Sequence, residues 1–168
     1  MPDSTIDRIF EAAGTIPFTS ILKGDQSTCT IMDIFGKLGH SLAYRVNCHS
    51  LHYPAADDGE WMYDMMWYTE KQGDRNKFFT SMPMVLEAEL RRKTKQGDEI
   101  DADFQKLVQA RANVRVWIST SPNNAQQHID NCKKQIQLFS GTAPGDQYVF
   151  AVYDWKSEKP IIEKFIVS

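Results

Sequence analysis

WMYDMMWYTEKQGDRNKFFTSMPMVLEAELRRK, residues 61–93, is the stretch that decides the fold. Two apolar, aromatic-rich runs flank a polar segment holding Gly73, Asp74 and Asn76, the signature of a β-hairpin. Each run carries an acid where strand propensity argues against one. Asp64 lies amid Trp61, Met62, Tyr63, Met65, Met66, Trp67 and Tyr68, whose rings and thioethers are expected to fill a core. In the second run side chains alternate between faces, so Met84, Leu86, Ala88 and Leu90 share one face and Val85, Glu87, Glu89 and Arg91 the other. Two adjacent strands thus offer an Asp and a Glu-x-Glu pair to one side of a sheet, the beginning of a divalent-metal site.

Outward from the hairpin the chain alternates helices and strands. Ser4 or Thr5 caps a first helix with Ile6, Ile9, Phe10 and Ala13 on its apolar side, ended by Gly14 and Pro17. A second helix starts at Thr30 as N-cap, repeats Ile31, Ile34, Phe35 and Leu38 at helical spacing, and stops with Gly39 in the C′ place. SLAYRVNCHS (41–50) alternates as a strand. Beyond the hairpin, Arg91 to Glu99 is a charged connection, and Asp101 or Asp103 starts a helix carrying Phe104, Leu107 and Val108 that ends near Asn113. VRVWIST (114–120) is a strand, Asn123 or Asn124 caps a helix with Ile129, Cys132, Ile136 and Phe139, and QYVFAVYDW with KPIIEKFIVS forms a terminal hairpin. Three successive strands, then a helix crossing to a further strand, predict an α/β fold with a central mixed sheet flanked by helices.

At 168 residues, without a repeat or linker, residues 1–168 read as a single domain large enough for a real core. The net charge of −3 gives no electrostatic mark of a polyanion binder, so any nucleic-acid contact must rest on local basic groups and bound cations. The 3 cysteines lack metal-ligand spacing, which points to a reducing, cytoplasmic compartment. The N-terminal residues have no signal-peptide pattern and no run is long enough to span a bilayer. No Gly-rich phosphate loop and no G-x-S-x-G elbow occurs.

The acids carry the chemistry. Hard oxygen donors from Asp64, Glu87 and Glu89 suit Mg²⁺ or Mn²⁺, whereas a zinc site would ask for a His/Cys cluster. Such a metal can activate water and neutralise charge on a phosphate, and a nearby lysine can stabilise the transition state. Arg91, Arg92, Lys93 and Lys95 follow at once and can meet phosphates. Taken singly, a strand carboxylate is most often a solvated residue and Lys106 a helix-surface lysine. The order of the three acids is what sets them apart. Asp154, in FAVYDW, is an oddly placed acid read as a strand-end surface residue, and the four histidines are scattered.

This order, with Asp in the middle strand and Glu-x-Glu in the next, resembles the PD-(D/E)xK nuclease superfamily. The segment YDMMWYTE…MVLEAELRRK…DFQKLVQARANVRVWI looks like small bacterial members, and the likeness covers roughly residues 30–120, with the last helix and hairpin as additions. It implies a restriction endonuclease-like core of αβββαβ order, a nuclease with Asp64 and Glu87 on the metal, and a nucleic-acid partner. Nuclease domains of this size often act as dimers, so a homodimer is a further expectation. Glu89 stands at the family's lysine position, giving E-A-E for E-x-K. A migrated lysine is then expected, Lys106 first and Lys93 second, and Asp33 is the acid on the helix before the first strand. A catalytically decayed module of the same fold, binding a protein partner, is the rival reading.

Overall fold

The computed structural model of the chain describes residues 4–24, 27–91 and 100–168. Helix α1 (Thr5–Gly14) begins where the Ser4 hydroxyl accepts the Asp7 N–H, and it buries Ile6, Ile9 and Ala13. A four-residue helix, α2 (Phe18–Ile21), follows Pro17 and was not foreseen from periodicity, being shorter than any helical repeat.

Helix α3 (Ser27–Ser41) corrects both expected ends of the second helix. Thr30 lies inside it, and so does Gly39. The reason is close packing. A Cβ on Gly36 would stand 2.5 Å from the Tyr53 ring, and one on Gly39 would stand 2.6 Å from the Trp67 indole nitrogen. These glycines let the helix lie against the sheet, where Trp67 Nε1 donates to the Phe35 carbonyl at 3.1 Å. The helix ends instead at Ala43, whose φ is +62°. There the Tyr44 N–H reaches the Gly39 carbonyl and the Ala43 N–H the His40 carbonyl, both at 3.0 Å. This is a Schellman cap with alanine in the left-handed place usually given to glycine.

The expected strand near residues 41–50 shortens to β1 (Arg45–Cys48). The hairpin forms as β2 (Met65–Gln72) and β3 (Lys77–Glu89), turning at the polar segment. Its ladder is not uniform. Trp67 pairs with Met84 and Glu70 with Phe79, so β3 spends five residues where β2 spends three, through two register shifts. Helix α4 (Ala102–Val108), N-capped by Asp101, leads to β4 (Val114–Ser121), and α5 (Ala125–Leu138), N-capped by Asn124, leads to the terminal hairpin of β5 (Gln147–Asp154) and β6 (Lys159–Ile166). α4 ends five residues before the expected stop at Asn113.

The six strands pair in chain order, β1 to β6. β3, β4 and β5 run parallel, and the other pairs are antiparallel. The chain is therefore α/β, with a mixed sheet between two helical layers. Ile9, Phe35 and the even members of the central strands, such as Met84, Leu86 and Val116, form one core beneath α1 and α3. Val85, Trp117 and Phe150 form the other beneath α4 and α5, with Phe104 and Ile129. Trp67, Tyr63, Tyr68, Met65 and Met66 are buried as expected, but Trp61 is 59% exposed and Met62 66% exposed.

Asp154 is at a strand end, yet it is buried. Its carboxylate accepts the N–H groups of Ala125, Lys156 and Ser157 at 2.8–3.1 Å, tying the start of α5 to the β5–β6 turn. Burial pushes its pKa up, and these backbone donors outweigh that and hold it low. Among the described residues, no helix is long and apolar enough to cross a membrane.

Candidate active site at the carboxyl end of β3

Glu87 sits near the end of β3, on the α4 side of the sheet, two residues on from the buried Val85. Its side chain is only 3% exposed. Asp64 lies in a bend one residue before β2, and not within the strand as expected. The ladder pairs Met65 with Leu86 and Met66 with Val85, so one further step brings Asp64 opposite Glu87. Asp64 Oδ2 accepts the Ala88 N–H at 2.8 Å, which fixes the acid to the neighbouring strand after the ladder has ended.

Helix α4 supplies the lysine. Phe104, Leu107 and Val108 anchor it on β3 and β4, and Lys106 leans back towards the sheet. Its ammonium contacts Glu87 Oε1 and lies 3.5 Å from Asp103 Oδ1, with about a third of the side chain exposed. It also sits over the ring of Tyr63, 5.6 Å from the centroid. Tyr63 is the residue just before Asp64, so one short segment contributes both an acid and a floor for the lysine.

The electrostatics follow from burial. Desolvation pushes the Glu87 carboxyl up to about 8, Lys106 opposes the rise, and the charge on Asp64 adds to it. Burial draws the Lys106 ammonium down, but Glu87 and Asp103 more than offset this, so it stays raised. A carboxyl of this kind, dry and against a single cation beside a second acid, is the arrangement expected of a functional site more than of a stabilising pair. It lies at the carboxyl end of a parallel strand, where open α/β sheets commonly bind ligands.

Glu89 shares the face of Glu87 by alternation but turns to Arg91, whose N–H, Nε and Nη2 approach its carboxylate at 3.0–3.3 Å. Together they border an open cleft of about 700 Å³ with Leu90, Thr28 and Trp155. Asp33 pairs with Lys37 at 2.7 Å on the exposed side of α3, a helix on the opposite face of the sheet from Glu87, and so takes no part in the cluster. Arg92, Lys93 and Lys95 lie outside the described residues. Asp64, Glu87 and Lys106 come together, whereas Glu89, expected with them, pairs with Arg91 at a cleft lined from the α2 and α3 side. Among the described residues, no group of three or more acidic, His or Cys side chains converges as a metal cage.

Sequence reasoning passed over Tyr63 and Asp103. Asp103 falls three residues before Lys106, a helical neighbour spacing that could have flagged it. His128, one of the scattered histidines, is buried and accepts the Trp117 indole N–H at 3.1 Å, a core role. Compared with protein-family models, curated proteins and solved structures, the chain matches none.

Proposed function

We propose that this chain is a metal-dependent nuclease that hydrolyses phosphodiester bonds in DNA or RNA, built on a restriction endonuclease-like core from α3 to β4. The observation that carries this reading is the meeting of Asp64, Glu87 and Lys106 from three separate stretches of sequence. Mg²⁺ or Mn²⁺ fits the donors. Both acids are hard oxygen ligands, and Mg²⁺ is commonly held by one or two carboxylates, with water and substrate phosphate completing its shell.

Asp64 and Glu87 would hold the ion. When bound, it would supply an activated water and charge neutralisation at the phosphate. The Ala88 N–H orients Asp64, so that carboxylate loses little freedom on binding. Lys106 would transfer its ammonium from Glu87 to a phosphate oxygen and stabilise the negative charge that builds there. Asp103 and Tyr63 hold that ammonium near the strand end. Glu89 would assist at the metal or the water if its Arg91 partner, 90% exposed, swings to the phosphate.

The test is cleavage of single- and double-stranded DNA and RNA with Mg²⁺ or Mn²⁺. Asp64→Ala and Glu87→Gln should each lower the rate on the order of 100-fold, and Lys106→Ala by a similar factor. No cleavage of any polymer, or cleavage indifferent to Asp64→Ala, would remove the proposal.

A second reading has its own observation. The strand offers E-A-E in place of E-x-K, Lys106 already compensates Glu87, and no three-ligand cage forms among the described residues. That favours a silent module of the same fold that binds a protein partner. Millimolar Mg²⁺ or Mn²⁺ separates the two, because an ion selective for the folded chain must raise its melting temperature.

A further inference from the structure

Beside the carboxylates lies a surface that the proposed chemistry does not use. Trp61, Met62 and Phe79 are 49–66% exposed, a group of large apolar side chains on one face of the hairpin and the segment leading into it. Isolated exposed apolar residues are ordinary, but a contiguous patch asks for a ligand. Its two rings, Trp61 and Phe79, close on each other and on the buried Tyr68 as a three-ring cluster, with the Trp61 and Phe79 centroids 6.4 Å apart and their planes 45° from parallel. Trp61 lies over Tyr68 with centroids 5.9 Å apart and planes 29° from parallel, and Tyr68 lies over Phe79 at 6.0 Å and 21°. The Tyr68 hydroxyl donates to Asp58, which pins the buried ring. Trp61 and Phe79, with Met62, Tyr63, Met66 and Met82, line a narrow apolar cleft of about 210 Å³. This is smaller than the roughly 300–1,000 Å³ of pockets for drug-sized ligands, and its end wall is Tyr63, the same ring that lies under Lys106.

We infer that the exposed rings of Trp61 and Phe79, backed by the buried Tyr68, are a platform on which unpaired nucleobases of a single strand stack, leading that strand to the neighbouring acids. The inference rests on the nuclease reading of Asp64, Glu87 and Lys106 and supplies its substrate class. Exposed Trp and Phe rings can each take one more flat ring, and base–aromatic stacking is tolerant of sequence because every base has such a face. The narrow cleft suits one planar ring better than a protein side-chain cluster. Tyr63 lines it, so a base held there would lie against the residue that precedes Asp64 and that underlies Lys106.

The surrounding charges say how recognition is divided. Asp58, Glu70 and Arg45 surround Tyr68 and Phe79, Lys77 pairs with Glu70 at 3.3 Å, and Arg75 is exposed at the hairpin tip. The field is mixed and the chain is net acidic, so stacking carries the affinity and phosphate charge adds little. Binding should therefore fall only shallowly with salt.

The experiment uses the full chain carrying Asp64→Ala, in EDTA, so that neither metal nor cleavage contributes. Fluorescein-labelled oligothymidylate and oligouridylate are compared with an abasic strand of equal length and with duplex DNA, following fluorescence anisotropy and tryptophan quenching. The single strands should bind at least about fivefold tighter than the abasic strand or the duplex. Trp61→Ala and Phe79→Ala, both on exposed positions, should each weaken single-strand binding by about fivefold or more, and Trp61→Ala should abolish the quenching. Trp61→Phe should restore part of the affinity. That pattern upholds the platform whether or not the metal-loaded protein cleaves. Equal binding of abasic and normal strands overturns it, as does binding indifferent to Trp61→Ala, even if the wild-type protein proves a nuclease. Concentration-dependent self-association that Trp61→Ala removes, without strand binding, assigns the face to a second copy and overturns it too.

Discussion

Glu87→Gln should make the folded protein more stable, and increasingly so as pH rises. The ordinary glutamate value is 4.5, and burial carries Glu87 up to about 8. Between those values the folded chain keeps a proton that the unfolded chain has released, so the free energy of unfolding falls as pH increases through the window. At 1.36 kcal/mol per unit the whole separation corresponds to at most about 5 kcal/mol. Contact with a lysine that is one-third exposed, and water reaching it, bring the realised loss to about 2 kcal/mol. Glutamine keeps the shape and removes the ionisation. At pH 5 the two chains should agree within about 1 kcal/mol, and at pH 9 Glu87→Gln should lead by about 2 kcal/mol, a rise of about 4–8 °C in melting temperature for a chain of this size. Urea melts at pH 5, 7 and 9 read the difference directly. A gap that stays flat across this range, or that favours the wild-type protein at the alkaline end, refutes the burial argument.

Three other outcomes follow from the same geometry. Because Glu87 must give up its proton to hold a cation, Mg²⁺ should raise the melting temperature more at pH 8.5 than at pH 6, and Asp64→Ala should remove most of the rise in thermal-shift titrations. Gly39→Ala should cost about 1–3 kcal/mol in chemical denaturation, since the new methyl meets the buried Trp67 indole. Ala43→Gly should do the opposite at the end of the same helix, adding up to about 1 kcal/mol by relieving a left-handed alanine that is solvent-exposed; an unchanged or lower midpoint would contradict it.

Alternation, composition and capping placed most elements, although the alternation over residues 41–50 marked as strand a stretch whose first residues finish helix α3 and its cap. The hairpin turn at Gly73, the β-branched strand from Val114 and the helix capped by Asn124 all stand where alternation, composition and capping put them. The failures have a common cause, which is that neighbours distant in sequence took over a residue's local role. Gly39 has the credentials of a helix terminator but is needed inside the helix to admit Trp67. Asp154 has the credentials of a surface acid but is drawn inward by the Ala125 N–H, 29 residues away, as well as by the two turn donors that follow it. The candidate site divides in the same way. Glu87 was legible because pleat is a local rule, Asp64 only to within one position because its strand starts after it, and Lys106 only through the resemblance, which asked for a lysine on the following helix. That Tyr63 would underlie the lysine, that Glu89 would turn to Arg91, and that Trp61 would leave the core depended on how three elements close on one another. No window of sequence contains that.

The paired irregularities in the central hairpin have a consequence for how this sequence can change. One surplus residue in a pleated ribbon inverts everything beyond it, whereas two restore the original sense. Phe79 therefore looks out from the same side as Glu87, although the ribbon between them is broken twice. A single-codon deletion anywhere from Thr80 to Pro83 would send the outer ring to the far side while leaving the acids untouched. Length variation among descendants of this gene should accordingly appear there in steps of two, or be confined to the tip around Asp74, where parity has no hold.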